Sequence, residues 1–285
     1  MENPVSLERS AGQGSAGRPV TWLVELDPDF PGPQRVEAFL LERAARVILL
    51  DPGPPWAPRW PEVEGPIVGY GTMRTMRRLQ QHRPLSRAVF DDYPSLRCSV
   101  YYRHVYDLLG RDAVFVPLAA LAHLDLARRF GERFFVRPET NYKLFAAQIV
   151  ESAKARAFVE VEREHATELV VVSEVVELGD EFRCFCRDGA VFAHSSYSLE
   201  PWGPVPPEVQ RFTAEVAARL RGVTPSDMLT VDVARAPDGR LRLVEVGGVN
   251  SWGVYGADLA PFVAAMEAEA REVWEEQNPD AGSAG

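Results

Sequence analysis

The sequence predicts an α/β layer followed by two α+β units in succession, and three observations carry that reading. Strand-like and helix-like stretches alternate through roughly the first eighty residues, with short apolar strands stopped by Pro and Gly. From Arg133 onward the strands come in returning pairs interleaved with helices. The stretch Leu229–Gly256, LTVDVARAPDGRLRLVEVGGVNSWGVYG, reads as a hairpin holding two carboxylates, then a glycine-rich turn into the last helix.

Taken in order, TWLVELD (Thr21 to Asp27) is a first strand ending in a Pro/Gly loop. Val36 to Arg46 has helical spacing, and Arg46 to Gly53 is a short apolar strand. A proline-rich link leads to IVGYG, a third strand, after which Thr72 can cap the helix MRTMRRLQQH. That helix carries Arg74, Arg77 and Arg78, so its start could bind an anion, the alternative being a solvated basic face. Ser86 to Leu126 reads as aromatic and mostly helical, with Tyr101 to Leu109 the clearest amphipathic piece. RFFVRP is then a strand, ETNYK a polar loop, and Leu144 to Val150 a returning strand. Lys154 to His165 fits a helix, and Glu168 to Leu178 a β-branched buried strand. Gly179-Asp180 turns it into EFRCFCRDGAVFAHSSYS, a hairpin about Asp188-Gly189. Pro207 to Leu220 is a helix, and Asp258 to Trp274 is the last one, with Leu259, Phe262, Val263 and Met266 on its inner stripe. No internal repeat is visible. Two α+β units after an α/β layer make a layout in which a nucleotide can lie between two sheets.

The hairpin carries the chemistry. Leu229, Val231 and Val233 alternate with Thr230, Asp232 and Ala234, the period of a half-buried strand. Pro237, Asp238 and Gly239 supply turn chemistry. With a two-residue turn at Pro237-Asp238, Leu243 faces Asp232 and Glu245 faces Thr230. Asp232 and Glu245 are then diagonal neighbours on one face, roughly 7–8 Å apart. Two carboxylates that close can share a divalent cation, and Mg²⁺ is commonly held by one or two carboxylates plus substrate phosphates. A bulged three-residue turn would send one acid to the other face, and two solvated acids are the plain alternative.

Composition narrows the function classes. The chain has 285 residues, enough for one large or two modest domains. A net charge of −10 argues against a general nucleic-acid or anionic-membrane surface, though not against a local basic pocket. Three cysteines (Cys98, Cys184, Cys186) form no disulfide framework and suit a reducing cytoplasm. No apolar run reaches membrane-spanning length, and the start lacks the apolar core of a signal peptide. The expectation is a cytoplasmic protein with small, polar, disordered ends.

FFVRPETNYK, VVVSEVVELGDEFRCF and VDVA…LVEVGGVNSWGVYG, in this order, resemble the ATP-grasp superfamily, in particular its clade marked by two arginines and a lysine. The likeness runs from about Pro66 to the final helix. It implies a Rossmann-like preliminary domain followed by two α+β subdomains that grip ATP. The corresponding division is a disordered leader over 1–18, a preliminary α/β domain with helical linker over 19–130, the ATP-grasp domain over 131–276, and a disordered tail over 277–285.

The resemblance also implies residue roles. Arg137 stands where most relatives carry a phosphate-binding lysine, and its planar fork suits phosphate oxygens. Lys143 lies in the loop that covers the phosphates. Ser173 to Val176 looks like the hinge that bonds adenine, with Glu174 its carboxylate and Val175 and Val176 contributing main chain. Glu181 matches a ribose-binding glutamate. Arg183 completes the arginine pair and could neutralise the transferred phosphoryl group; the alternative is a structural ion pair with Glu181 or Glu174. Asp232 and Glu245 match the Mg²⁺ ligands. Most relatives carry asparagine two residues after that glutamate; here Gly247 stands there, and Asn250 is the nearest replacement in sequence. Tyr255, Tyr197, Trp202 and the Arg74 helix are candidate rim residues.

The implied activity is an Mg²⁺-dependent ligase that phosphorylates a carboxylate with ATP and passes the acyl phosphate to an amine. Its substrates would be small molecules or peptides, and no nucleic acid or membrane partner is expected. A small-molecule kinase on the same scaffold is one alternative. A nucleotide-binding module without catalysis is another, favoured only by Gly247. Neither the substrates nor the oligomeric state is legible.

Overall fold

The structure is a computed structural model that describes residues 18–30, 32–51, 53–54, 59–142, 144–197, 205–224 and 226–279. It opens with β1 (Thr21–Val24), α1 (Gly32–Glu42), β2 (Arg46–Leu49), β3 (Ile67–Tyr70) and α2 (Met73–Gln81). The three strands form a parallel sheet in the order β2-β1-β3, with Leu23 opposite both Ile48 and Gly69. Leu23, Ile67, Met76 and Leu79 close the core beside it. Thr72 caps α2 as expected, its hydroxyl accepting from the Thr75 N–H at 3.3 Å. The helix start needs no external anion. The Glu25 carboxylate accepts from the Thr72 N–H at 2.7 Å and from the Thr72 and Thr75 hydroxyls at 2.6 Å each.

The chain continues through α3 (Cys98–Leu109), β4 (Ala113–Pro117), α4 (Leu126–Phe130), β5 (Arg133–Pro138), β6 (Gln148–Glu151), α5 (Ala155–Val161) and β7 (Leu169–Ser173). Strand β4 corrects the expectation of a mostly helical stretch to Leu126. Its five residues pair antiparallel with β7, and a short apolar run does not by its period tell strand from helix. The sheet order is β4-β7-β5-β6. β7 stops at Ser173, short of Leu178, because Ser173 is the last residue paired on both sides, to Ala113 and Phe135. The return strand likewise begins only at Gln148, not at Leu144.

Next come β8 (Glu181–Arg187), β9 (Ala190–Ser196), α6 (Pro207–Arg219), β10 (Leu229–Arg235) and β11 (Leu241–Gly247), with sheet order β11-β10-β8-β9. One face of β8, β10 and β11 packs through Cys184, Cys186, Val231, Val233, Leu243 and Val246 into a core shared with α3 and α6. Helix α7 (Leu259–Gln277) ends the fold.

The β10–β11 hairpin departs from the expected register twice. The turn has three residues, since the Ala236 N–H bonds the Arg240 carbonyl and the Gly239 N–H bonds the Ala236 carbonyl, both at 2.9 Å. Gly239, at φ 78°, takes the left-handed position that closes such a turn. Alone, this shift would put Glu245 on the face opposite Asp232. A bulge between Val233 and Asp232 makes Val244 an extra residue and shifts the ladder once more. Asp232 and Glu245 therefore face each other directly across the strands, not on the diagonal.

Contacts group the chain into two units, one drawn from within Met1–Asp91, Phe192–Pro204 and Gly248–Gly285, the other from Asp92–Val191 and Val205–Gly247. The last helix thus groups with the opening layer, which a single cut near residue 130 does not anticipate. The reason is its packing on β3: Phe262 meets Tyr70 edge-on at 5.7 Å, and the Tyr70 hydroxyl donates to the Trp252 carbonyl at 2.7 Å. Among the described residues no helix is long and apolar enough to cross a membrane.

Candidate active site

The site lies on the face of β8, β10 and β11 turned away from the α3/α6 core. Register places Arg183 opposite Asp232 and Asp232 opposite Glu245, a row of three charged residues on adjacent strands. Glu181 opens β8 opposite Ala234 and so shares that face. The Arg183 fork is bidentate, with Nε donating to Asp232 Oδ1 at 2.8 Å and Nη2 to Oδ2 at 2.7 Å. Both residues are buried. Arg183 thus takes the carboxylate of the neighbouring strand, where the alternative of a structural ion pair names Glu181 or Glu174.

Arg137 reaches the same row from β5, with Nη2 donating to Glu245 Oε1. The same nitrogen donates to Asn141 Oδ1 at 3.0 Å, and Asn141 Nδ2 donates to the Val246 carbonyl at 3.1 Å. Burial, the largest single influence, works against the charge on Arg137, but Glu245 and then Cys98, Tyr101 and Tyr102 act the other way and together hold the guanidinium well above its usual range. Around it, burial pushes the Tyr102 hydroxyl up to about 12 and raises Tyr101 and Cys98 as well.

The stretch read from sequence as a hinge, Ser173 to Val176, lies at the end of β7. The Glu174 N–H bonds the Asp112 carbonyl at 3.1 Å, and the Glu174 carboxylate accepts the Asp112 N–H at 3.0 Å. Val175 and Val176 are half-buried, and among the described hydrogen bonds none uses their main chain. Lys143 and Trp202 lie outside the described residues. Tyr197 and Tyr255 pack on each other in the first unit, with ring centroids 4.8 Å apart.

Asn250 belongs to the first unit, and its side chain is fully engaged there. Nδ2 donates to the Gly69 and Ala88 carbonyls at 2.7 and 3.0 Å, and Oδ1 accepts the Phe90 and Asp91 N–H groups at 2.7 and 3.3 Å. All four positions of a carboxamide are used. It is a strut of the turn after β11, with no lone pair to spare for a metal. Asn250→Ala should accordingly destabilise the protein by about 3 kcal/mol through stranded buried amides and carbonyls. A urea midpoint unchanged from wild type would contradict this.

Sequence reading missed Glu139 and Asn141. The Glu139 carboxylate accepts from Arg97 Nε at 2.8 Å and from the Ser99 N–H at 3.3 Å, anchoring the start of α3. A signal for both was present: Arg137, Glu139 and Asn141 are polar at alternate positions and all are buried.

Comparison with known proteins bears on the family and the fold. A model of the ATP-grasp domain, family 2 of the clade marked by two arginines and a lysine, matches residues 108–265, more than half of the chain. No curated protein sequence matches. Among solved structures, the ATP-grasp ligase PsnB with precursor peptide PsnA2 and AMPPNP is similar at TM-score 0.56 and 14% identity, covering 91% of this chain and 100% of that one. D-cycloserine synthetase DcsG is similar at TM-score 0.57 and 15% identity, covering 90% and 99%. A RimK domain ATP-grasp protein from Sphaerobacter thermophilus DSM 20745 is similar at 0.56 and 14%, covering 90% and 98%. At such identities the likeness is one of fold. By sequence family and by fold together, the chain belongs to the ATP-grasp superfamily, in family 2 of its clade of two arginines and a lysine.

Proposed function

We propose that this protein is an Mg²⁺- and ATP-dependent ligase that phosphorylates a carboxylate and joins it to an amine, releasing ADP and phosphate. The observation that carries the reading is the row Arg183–Asp232–Glu245 with Arg137 brought onto it from a second sheet. Each carboxylate already holds a cationic nitrogen, so this face suits positive charge. Among the described residues no group of three His, Cys, Asp or Glu could hold a metal ion. Two carboxylates are the complement that Mg²⁺ takes when phosphates complete its shell, so Asp232 and Glu245 fit it. Bound there, Mg²⁺ would supply charge neutralisation and orientation for phosphoryl transfer.

The chain's own residues then divide the work. Val175 and Val176 offer main-chain groups to adenine beside Ser173 and Glu174, and Glu181 stands on the sheet face for ribose. Arg137 and Arg183 supply positive charge for the far end of the nucleotide, and the family resemblance assigns Lys143 to the same role. Charge fixed there before reaction stabilises the γ-phosphoryl group as its bonds change. An adenylating enzyme would need that charge on the α-phosphate. Solved relatives named as a ligase complexed with a precursor peptide and as a D-cycloserine synthetase support amino-acid-like or peptide substrates.

Incubation with ATP, pooled carboxylates and hydroxylamine should yield ADP, phosphate and a trapped hydroxamate. AMP as the stoichiometric product would overturn the assignment of the phosphates. A stable phosphorylated product that hydroxylamine leaves intact would make the protein a kinase.

A further inference from the structure

We propose that Asn141 is a third protein oxygen of the cation site. The inference rests on the reading of Asp232 and Glu245 as Mg²⁺ ligands and concerns a residue outside that pair. Asn141 is buried, and its Nδ2 bond to the Val246 carbonyl fixes the direction of Oδ1. That oxygen and Glu245 Oε1 share one donor, Arg137 Nη2. Two acceptors on one nitrogen lie about 4–5 Å apart, and opposed oxygens on Mg²⁺ about 4.2 Å apart. A small cation taking the place of the guanidinium nitrogen would find both oxygens within reach. A neutral amide beside two carboxylates also completes a hard oxygen set without adding a third buried negative charge. Asn250 cannot compete for this role, since its carboxamide is saturated in the first unit. Arg137, displaced from Glu245, is then free to address phosphate oxygens, which its planar fork suits.

The test is Mn²⁺ binding in the presence of AMPPNP, read by the electron paramagnetic resonance of free Mn²⁺. Asn141→Ala should weaken Mn²⁺ at least about tenfold, the scale seen for lost metal-site partners. Asn141→Asp keeps an oxygen but loses the donor to Val246, and should bind Mn²⁺ at least as tightly as wild type. A merely structural peg would lose equally in both. Asn141→Cys should favour Cd²⁺ over Mn²⁺ and give an ultraviolet thiolate-to-cadmium charge-transfer band. The native thiols provide a quiet background, since burial raises Cys98, Cys184 (to about 11) and Cys186 above the usual range. Unchanged Mn²⁺ affinity in Asn141→Ala, or no band in Asn141→Cys, overturns the inference while leaving Asp232 and Glu245 in place. Should Asn141→Ala fail to fold, the Asp and Cys variants decide. Absence of Mn²⁺ binding by the wild-type protein, or full binding by Asp232→Asn, would overturn the metal reading itself.

Discussion

Asp232→Ala should lower the stability of the protein by about 3–5 kcal/mol, because it takes the bidentate carboxylate from a buried guanidinium. The same removal should abolish turnover. Asp232→Asn separates the two effects: it keeps the shape and an acceptor for Arg183 but not the charge. Its stability should fall less, while ADP formation drops by about a thousandfold. The double variant Arg183→Met, Asp232→Leu exchanges the pair for apolar groups of similar bulk and should regain much of the stability without activity. Urea midpoints by circular dichroism and ADP release give both readings. A wild-type midpoint for Asp232→Ala would show that the pair is not what holds Arg183. Near-wild-type turnover in Asp232→Asn would remove it from the chemistry.

Gly248→Ala is expected to be nearly as damaging, for a steric reason. A Cβ on Gly248 would come within 2.0 Å of Asp91 Cγ and Oδ1. Asp91 is buried and cannot simply yield, because its Oδ1 accepts the Val249 N–H at 2.6 Å and the Asn250 N–H at 3.2 Å. Moving it strands two buried donors, and overpacking adds strain, together about 3 kcal/mol. Gly239→Ala makes the contrast. Its left-handed backbone disfavours a side chain, yet nothing lies within 4 Å of the added carbon, so the cost should stay near ~1 kcal/mol. Hydrogen exchange at Val249 and Asn250 should accelerate in Gly248→Ala and not in Gly239→Ala. Equal protection in the two variants would refute the Asp91 contact.

Much of this site was legible because strand alternation and a few charged residues in sequence order specify which side chains share a face. Asp232 and Glu245 could be named from the hairpin, and Arg183 from the family resemblance. The three-residue turn and the bulge that oppose the two acids were not part of the expected register. Arg137 and Asn141 are different, since their meeting with Glu245 joins two sheets, and no local period encodes that. The Asn250 expectation failed for the same reason. Closeness in sequence to Glu245 says nothing about Gly69, Ala88 and Phe90, which take up its side chain. Strand β4 was hidden because its only cue, five mostly apolar residues soon after a glycine, competes with the amphipathic helix before it.

The bulge at Val244 bears on how relatives of this protein are recognised. Inward-facing apolar residues on β11 fall at Leu241, Leu243 and Val246, a step of two and then a step of three. The number of residues separating the two acids is therefore not a ruler. A relative lacking both Val244 and one turn residue would still hold its acids opposed across the same two strands. Alignments that score a fixed interval between aspartate and glutamate would pass over such a chain. What lasts between them is which residues look at each other, and the count along the backbone is free to drift.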